Sequence, residues 1–299
     1  MIWRMSSKFA LMTFALLCSA PPSAADGAQP GIDVEIQSRI TGNSSLGPDG
    51  GKISQMSNLL DLSLPVAGTS KFGLGVDLVV EHLDFHFHDA AGFLPGRPAP
   101  LAAAEVGSLQ PTALFTPAQH WSFVGSGTVQ YAGSENARLG DSTLLSGSVG
   151  AFYEQTGNRK IGLGIQVAQQ MRASAQILPF PIVDWRFSDR WSLEALDGES
   201  GRLSYRVTTA FSVVGQLEFR SQDIRLGRSS SIRSGIMRYE AFPLSLSIEY
   251  RSARGLAVSA GGGAAVAQKY RFEDEHGYLV QEGAAHSPWL GTLDIDFSF

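Results

Sequence analysis

The sequence predicts an all-β fold, a transmembrane antiparallel β-barrel of about fourteen strands (roughly 12–14). Three observations predict it. Apolar and polar residues alternate with a period of two through segment after segment. The links between those segments alternate between short and long. Nothing after the first residues offers the ~18 consecutive apolar positions that a helical span requires.

Composition narrows the classes further. The 299 residues carry 23 Lys+Arg against 28 Asp+Glu, a formal charge of −5, which argues against a nucleic-acid binder. Charged residues make up 17%, below the ~25% of ordinary soluble domains. The 33 glycines exceed their usual share of ~7%. The one cysteine, Cys18, excludes a disulfide scaffold and a cysteine-rich zinc site.

Residues 1–25 read as an export signal and 26–299 as the barrel. Arg4 and Lys8 supply the basic start, Phe9 to Cys18 the apolar run, and Ser23, Ala24 and Ala25 the small-residue cleavage context. The run is about ten residues, too short to cross a bilayer. Leu17 stands where a lipid-anchor signal wants a small residue before its cysteine. A mature chain without cysteine suits the oxidising periplasm.

Strands follow in order. After a weaker segment at 32–40 come the rows Leu60, Leu62, Leu64, Val66 and Phe72, Leu74, Val76, Leu78, Val80. A weak segment at 103–115 precedes Trp121, Phe123, Val129 and Tyr131, and another at 144–154 precedes Ile161, Leu163, Ile165 and Val167. Val183, Trp185 and Phe187 turn tightly into Trp191 and Leu193. Next come Leu203, Tyr205, Val207, then Phe211, Val213, Leu217, Phe219. Phe242 to Tyr250, Leu256 to Val266 and Trp289 to Phe299 complete the set.

Short links fall near 66–70, 115–119, 155–160, 187–190, 207–210 and 251–255, and long ones near 41–54, 83–102, 132–143, 221–239 and 272–287. Short turns at one end and long loops at the other mark an outer-membrane barrel, because lipid cannot hydrogen-bond an open sheet edge. Trp185, Phe187, Trp191, Tyr205, Phe211 and Tyr250 fall beside the short turns, and Tyr270 and Phe272 beside a long loop. They are expected to form the two interfacial girdles. A soluble sandwich would explain the alternation but not the turn asymmetry and the girdles together.

The last strand, Leu290 to Phe299, with Phe297 and the terminal Phe299 on its apolar face, resembles the signal that the barrel assembly machinery reads in bacterial outer-membrane proteins. The hairpin Val183 to Leu193, followed by Arg202 to Val207, resembles a family of uncharacterised Gram-negative outer-membrane barrels, a domain of unknown function. The resemblance implies residence in the outer membrane, with lipid and the assembly machinery as partners. It brings no catalytic residues.

If the apolar rows face lipid, Asp61, Asp184, Arg186, Glu194, Arg202, Arg206, Glu218, Arg220, Glu249, Asp294 and Asp296 face the lumen. Such charges either line a selective pore or tie the interior with salt bridges. His82, His86 and His88 with Asp84 form the one histidine cluster and are candidate metal ligands beside the loop Phe93 to Ala104, provided a bulge or a membrane exit intervenes near Val80. His120 with Ser122, and His286 with Ser287, are the only close pairs a barrel hydrolase could use, and neither has an evident orienting third group. Gly261 to Gly263 lie inside a strand, where small residues permit close approach.

The expected function is a porin-like channel or passive transporter of small solutes, with no cofactor, no catalytic residues and no nucleic acid. The alternative is a closed barrel whose loops, 83–102 and 221–239 above all, meet external partners.

Overall fold

The computed structural model describes residues 31–46, 51–88, 98–196, 198–285 and 288–299. The expected export signal, 1–25, lies outside the described residues.

The chain forms a single sheet. β1 (Asp33–Ser45), β2 (Lys52–Gly68), β3 (Phe72–His88) and β4 (Ala103–Ala118) pair in chain order. β5 (Trp121–Ser134), β6 (Thr143–Thr156), β7 (Arg159–Gln170) and β8 (Ala173–Arg186) continue the series. Then come three short strands, β9 (Trp191–Ala195), β10 (Ser200–Arg206) and β11 (Phe211–Glu218). β11 breaks at Phe219 into β12 (Arg220–Arg225), and the two lie end to end along β13 (Ile236–Arg251). β15 (Leu279–Ala285) and β16 (Trp289–Ser298) share β14 (Leu256–Glu273) in the same way. With each broken pair counted once, the barrel has 14 strands. β16 closes it against β1, from Thr41 opposite Leu290 to Asp33 opposite Ser298.

Six short turns, at 69–71, 119–120, 157–158, 187–190, 207–210 and 252–255, gather at one end, as the sequence predicts. The other end differs. Among the described residues, the expected long loops 41–54, 83–102, 221–239 and 272–287 are partly strand: β1 runs to Ser45, β3 to His88, and β12 and β15 arise inside the segments read as loops. Above the lipid belt the outer face need not be apolar. Alternation there fades while backbone pairing continues.

The outer face carries the belt. Ile161, Leu163, Ile165 and Val167 on β7 and Leu244, Leu246 and Ile248 on β13 are all exposed, an apolar surface that water would not tolerate but lipid requires. At the short-turn end the girdle is present: Trp121 with Tyr153 (ring centroids 5.3 Å), Trp185 with Phe187 (5.5 Å), Trp191 with Tyr205 (4.7 Å) and Phe211 with Tyr250 (5.2 Å).

Tyr270 and Phe272 are not the opposite girdle. Both are fully buried and point inward. The β13–β14 register shifts at Ala241/Pro243, where Ala241 faces Gln268 but Pro243 faces Ala265. That extra residue on β14 reverses which positions face the lumen. Gly261 and Gly263 on the same strand face the lumen side of β13. A Cβ at Gly261 would meet the Leu246 carbonyl and Ser247, and one at Gly263 would collide with the Leu244 carbonyl. The close approach is between the neighbouring strands β13 and β14.

Candidate lumen and its closure

Inward positions follow from the pleat: with one outward row fixed in lipid, the intervening side chains face the axis. They fall into two storeys. In the lower storey, toward the short turns, lies a cavity of about 1080 Å³. Of the charges the sequence assigns to the lumen, Asp61, Asp184, Arg186, Glu194, Arg202, Arg206, Glu249 and Asp296 line it. Turn residues such as Gly157, Asp189, Ala210 and Gly255 also line it, so it reaches that end of the barrel.

Its walls are unevenly charged. Lys160 Nζ lies 3.2 Å from Asp184, and Glu249 holds both Arg202 and Arg251, the latter at 3.1 Å. Across the β2–β1–β16 wall, Asp61, Glu35 and Asp296 stand directly opposite one another in register. Both oxygens of Asp61 are buried without a hydrogen-bond partner among the described residues. The sequence reading did not single out Glu35. The signal was there, in Glu35, Gln37 and Arg39 alternating with Ile36 and Ile40, but the row is short and rich in polar neighbours.

The upper storey is shut. Arg39 donates from Nη1 and Nη2 to Glu218 Oε2 and Oε1, each at 2.8 Å, a bidentate pair between β1 and β11 across the lumen. Arg220 Nε donates to Glu218 Oε2 at 3.0 Å, while its Nη1 reaches Glu81 and its Nη2 reaches Gln37, both at 3.3 Å. Ser57 donates to Glu81 from the neighbouring strand. Above this tie lies an apolar core that includes Leu83, Phe85, Ile224, Met237, Tyr239, Tyr270 and Phe272. Tyr239 and Tyr270 pack at 5.2 Å, and Gln268 Nε2 donates to both hydroxyls, at 3.2 and 2.8 Å. Asp223 on β12 accepts from Arg238 Nε (2.6 Å) and from the Met171 amide (2.7 Å). Glu218 and Arg220, read from sequence as lumen charges, therefore belong to the tie, and Asp294 accepts from Ser259 Oγ at 3.3 Å instead of lining the cavity.

The remaining candidates are dispersed. β3 pairs with β4 without a register shift, so no bulge stands near Val80 and the strand simply leaves the belt. His82 Nδ1 lies 2.7 Å from Glu105 and its Nε2 3.2 Å from Asp84, while His86 and His88 stand further along the strand. Among the described residues no group of three or more His, Cys, Asp or Glu is placed to hold a metal. His120 Nδ1 faces the Glu154 carbonyl at 2.9 Å, and Ser122 bonds Thr116 at 2.9 Å, so the two do not pair. His286 and Ser287 lie outside the described residues.

Residues 117–277 match the family model described as Domain of unknown function (DUF6268). The chain belongs to this family. The DUF6268 segment holds β5 to β14, and so contributes Glu218 and Arg220 to the tie, whereas Arg39 and Glu81 come from outside it. No curated protein matches the chain in sequence. Among solved structures, the DUF6268 barrel is similar to the Pseudomonas putida toluene transporter TodX at 10% identity, covering 94% of this chain and 92% of that one, with a TM-score of 0.44. It is also similar to the COG4313 outer membrane channel from Pseudomonas putida F1 at 11% identity, covering 94% and 100%, with a TM-score of 0.45.

Proposed function

We propose that this protein is an outer-membrane transport barrel, a passive channel for small solutes seen with its axis shut. The short turns lie on the periplasmic side, as the asymmetry of such barrels requires. The observation that carries the reading is the cavity of about 1080 Å³ lined by charges of both signs, with a layer of ion pairs and an apolar core above it. A purely structural barrel has no need of a charged chamber of that size. The layer is the lower part of the closure: it consists of side chains from β1, β3, β11 and β12 held by bonds that can exchange for water. No residue acts as a catalyst in this reading. Lipid and the barrel assembly machinery, meeting Phe297 and Phe299, are its partners.

Planar-bilayer recording of the refolded chain, after heat-modifiable gel mobility is confirmed, tests the reading. Wild type is expected to give rare, discrete openings, and Arg39→Ala more frequent ones. Silence in both would overturn the channel and favour the second reading, a closed barrel acting through its outer surface, which the apolar core above the tie supports.

A further inference from the structure

The strands of the wall are not equally tall. β8 pairs with β7 along its length, from Gln170 opposite Ala173 to Arg159 opposite Trp185. On its other side it meets β9 only from Val183 opposite Ala195 to Arg186 opposite Ser192. Residues 173–182 have no strand beside them on that side among the described residues. Across the gap stands β12, whose inner neighbour is β13 and whose free edge carries one bridge, Arg225 to Gly133 of β5. The β9–β10 hairpin closes the gap below, and the bond from the Met171 amide to Asp223 closes it above.

The gap lies at the height of the lipid belt. Ile177, Pro179, Pro181 and Val183 stand opposite Val167, Ile165, Leu163 and Ile161, the exposed apolar row of β7. A bare strand edge in lipid leaves backbone donors unsatisfied, which is why spanning sheets close. Here the sequence removes donors at that edge. Pro179 and Pro181 have no N–H; because the Arg186 amide on the same unbroken register donates toward β7, to the Asn158 carbonyl, the odd positions 179 and 181 turn their nitrogens to the gap. The same prolines prevent another chain from adding a strand there.

Apolar groups line the inner side. Phe180 and Ile182 point inward, buried against Phe152, with Leu196 packed on them. Leu196 also lines the charged cavity. The tip of the β9–β10 hairpin lies against this patch: Gly198 adopts φ +78°, and a Cβ there would overlap the Phe180 side chain. Gln166 Nε2 reaches Glu199 at 3.3 Å.

We propose that this gap is a side opening through which a single-chain amphiphile enters from the surrounding leaflet. Its chain lies along Phe180 and Ile182, and its charged head rests in the cavity beyond Leu196. The β9–β10 tip is the flap over the inner mouth. This rests on the transport reading, since it names the solute class and its route, but its test does not depend on conduction.

A single cysteine is placed at Phe180, in a Cys18→Ser background, and labelled with bimane. The barrel is reconstituted in liposomes to which lysophosphatidylcholine brominated along its chain is added. Ser126→Cys, facing inward from β5 where both neighbours are paired, and Leu163→Cys, facing lipid, are the references. Heat-modifiable mobility establishes folding of each, and Ile182→Cys replaces the Phe180 site if that variant fails. Saturable quenching at 180, closer to that at 163 than to that at 126, supports the opening. Gly198→Val, which forces the tip off Phe180, should raise it further. Quenching at 180 no greater than at 126 in both backgrounds overturns the side opening even where bilayers conduct. Saturable quenching in a silent barrel keeps the opening and removes the axial channel.

Discussion

Glu218 is the hinge of the upper closure, so Glu218→Gln is the sharpest perturbation of it. The wild-type carboxylate accepts two bonds of 2.8 Å from Arg39 and one of 3.0 Å from Arg220. The Arg39 and Glu218 side chains are only 7% and 11% exposed. The amide keeps the shape but not the charge, leaving the Arg39 guanidinium without the carboxylate it pairs with while Arg220 keeps Glu81. Breaking a buried pair by removing one partner costs about 3–5 kcal/mol, and the polar lumen places this case near the lower end, about 3 kcal/mol. With a urea slope of about 2 kcal/mol per M, the midpoint should fall by about 1.5 M. The assay is urea unfolding in detergent micelles, followed by heat-modifiable mobility and tryptophan fluorescence. Adding Arg39→Met to Glu218→Gln should recover about half of the loss, because the uncompensated charge is then gone. An unchanged midpoint in Glu218→Gln, or strictly additive losses in the double variant, would refute the tie as a coupled unit.

Other outcomes test other parts of the barrel. Gly263→Ala puts a methyl group into the Leu244 carbonyl and should abolish heat-modifiable barrel, whereas Gly127→Ala, with open space around it, should leave mobility unchanged. Asp274, in the β14–β15 loop, is pushed up by desolvation, but the amides of Tyr278, His276 and Gly277 and the nearby His276 charge outweigh this and hold its pKa below the usual carboxylate range. A group whose folded pKa is lowered stabilises above its unfolded pKa and loses that contribution as pH falls through the folded value. The protection factors of the His276 and Tyr278 amides, measured against the intrinsic exchange rate at each pH, should therefore be high at neutral pH and fall on acidification, and Asp274→Asn should flatten the dependence. Deleting Phe299, whose ring stacks on Phe297 at 6.3 Å, should lower the folded fraction in cells, and wild-type levels would count against the assembly role.

The lower half of the barrel was legible because lipid imposes a strict rule there. Every second residue must be apolar, so rows such as Ile161 to Val167 and Leu244 to Ile248 announce strand, face and register at once. All six short turns followed from the gaps between such rows. The upper half obeys no such rule. Apolar residues there, Leu83, Phe85, Tyr270 and Phe272, serve an interior core, and one extra residue between Ala265 and Gln268 was enough to turn two expected girdle aromatics inward. The lumen charges were identifiable one strand at a time. Their partners were not, because Arg39 and Glu218 meet across the ring at a separation that no periodicity encodes. The β8 prolines were visible in the sequence, but their meaning depends on which neighbour is missing.

The joint between β1 and β16 has a consequence for how the molecule comes into being. It pairs Asp33 with Ser298, near opposite ends of the chain, and nothing between them can be left out of the hoop. Until this joint zips, the sheet is a ribbon with two raw margins. In a hydrocarbon medium each margin is a row of thirsty amides and carbonyls. Contacts so remote along the chain are also the slowest to find one another. The ribbon therefore needs a chaperoning surface that covers both margins until they meet.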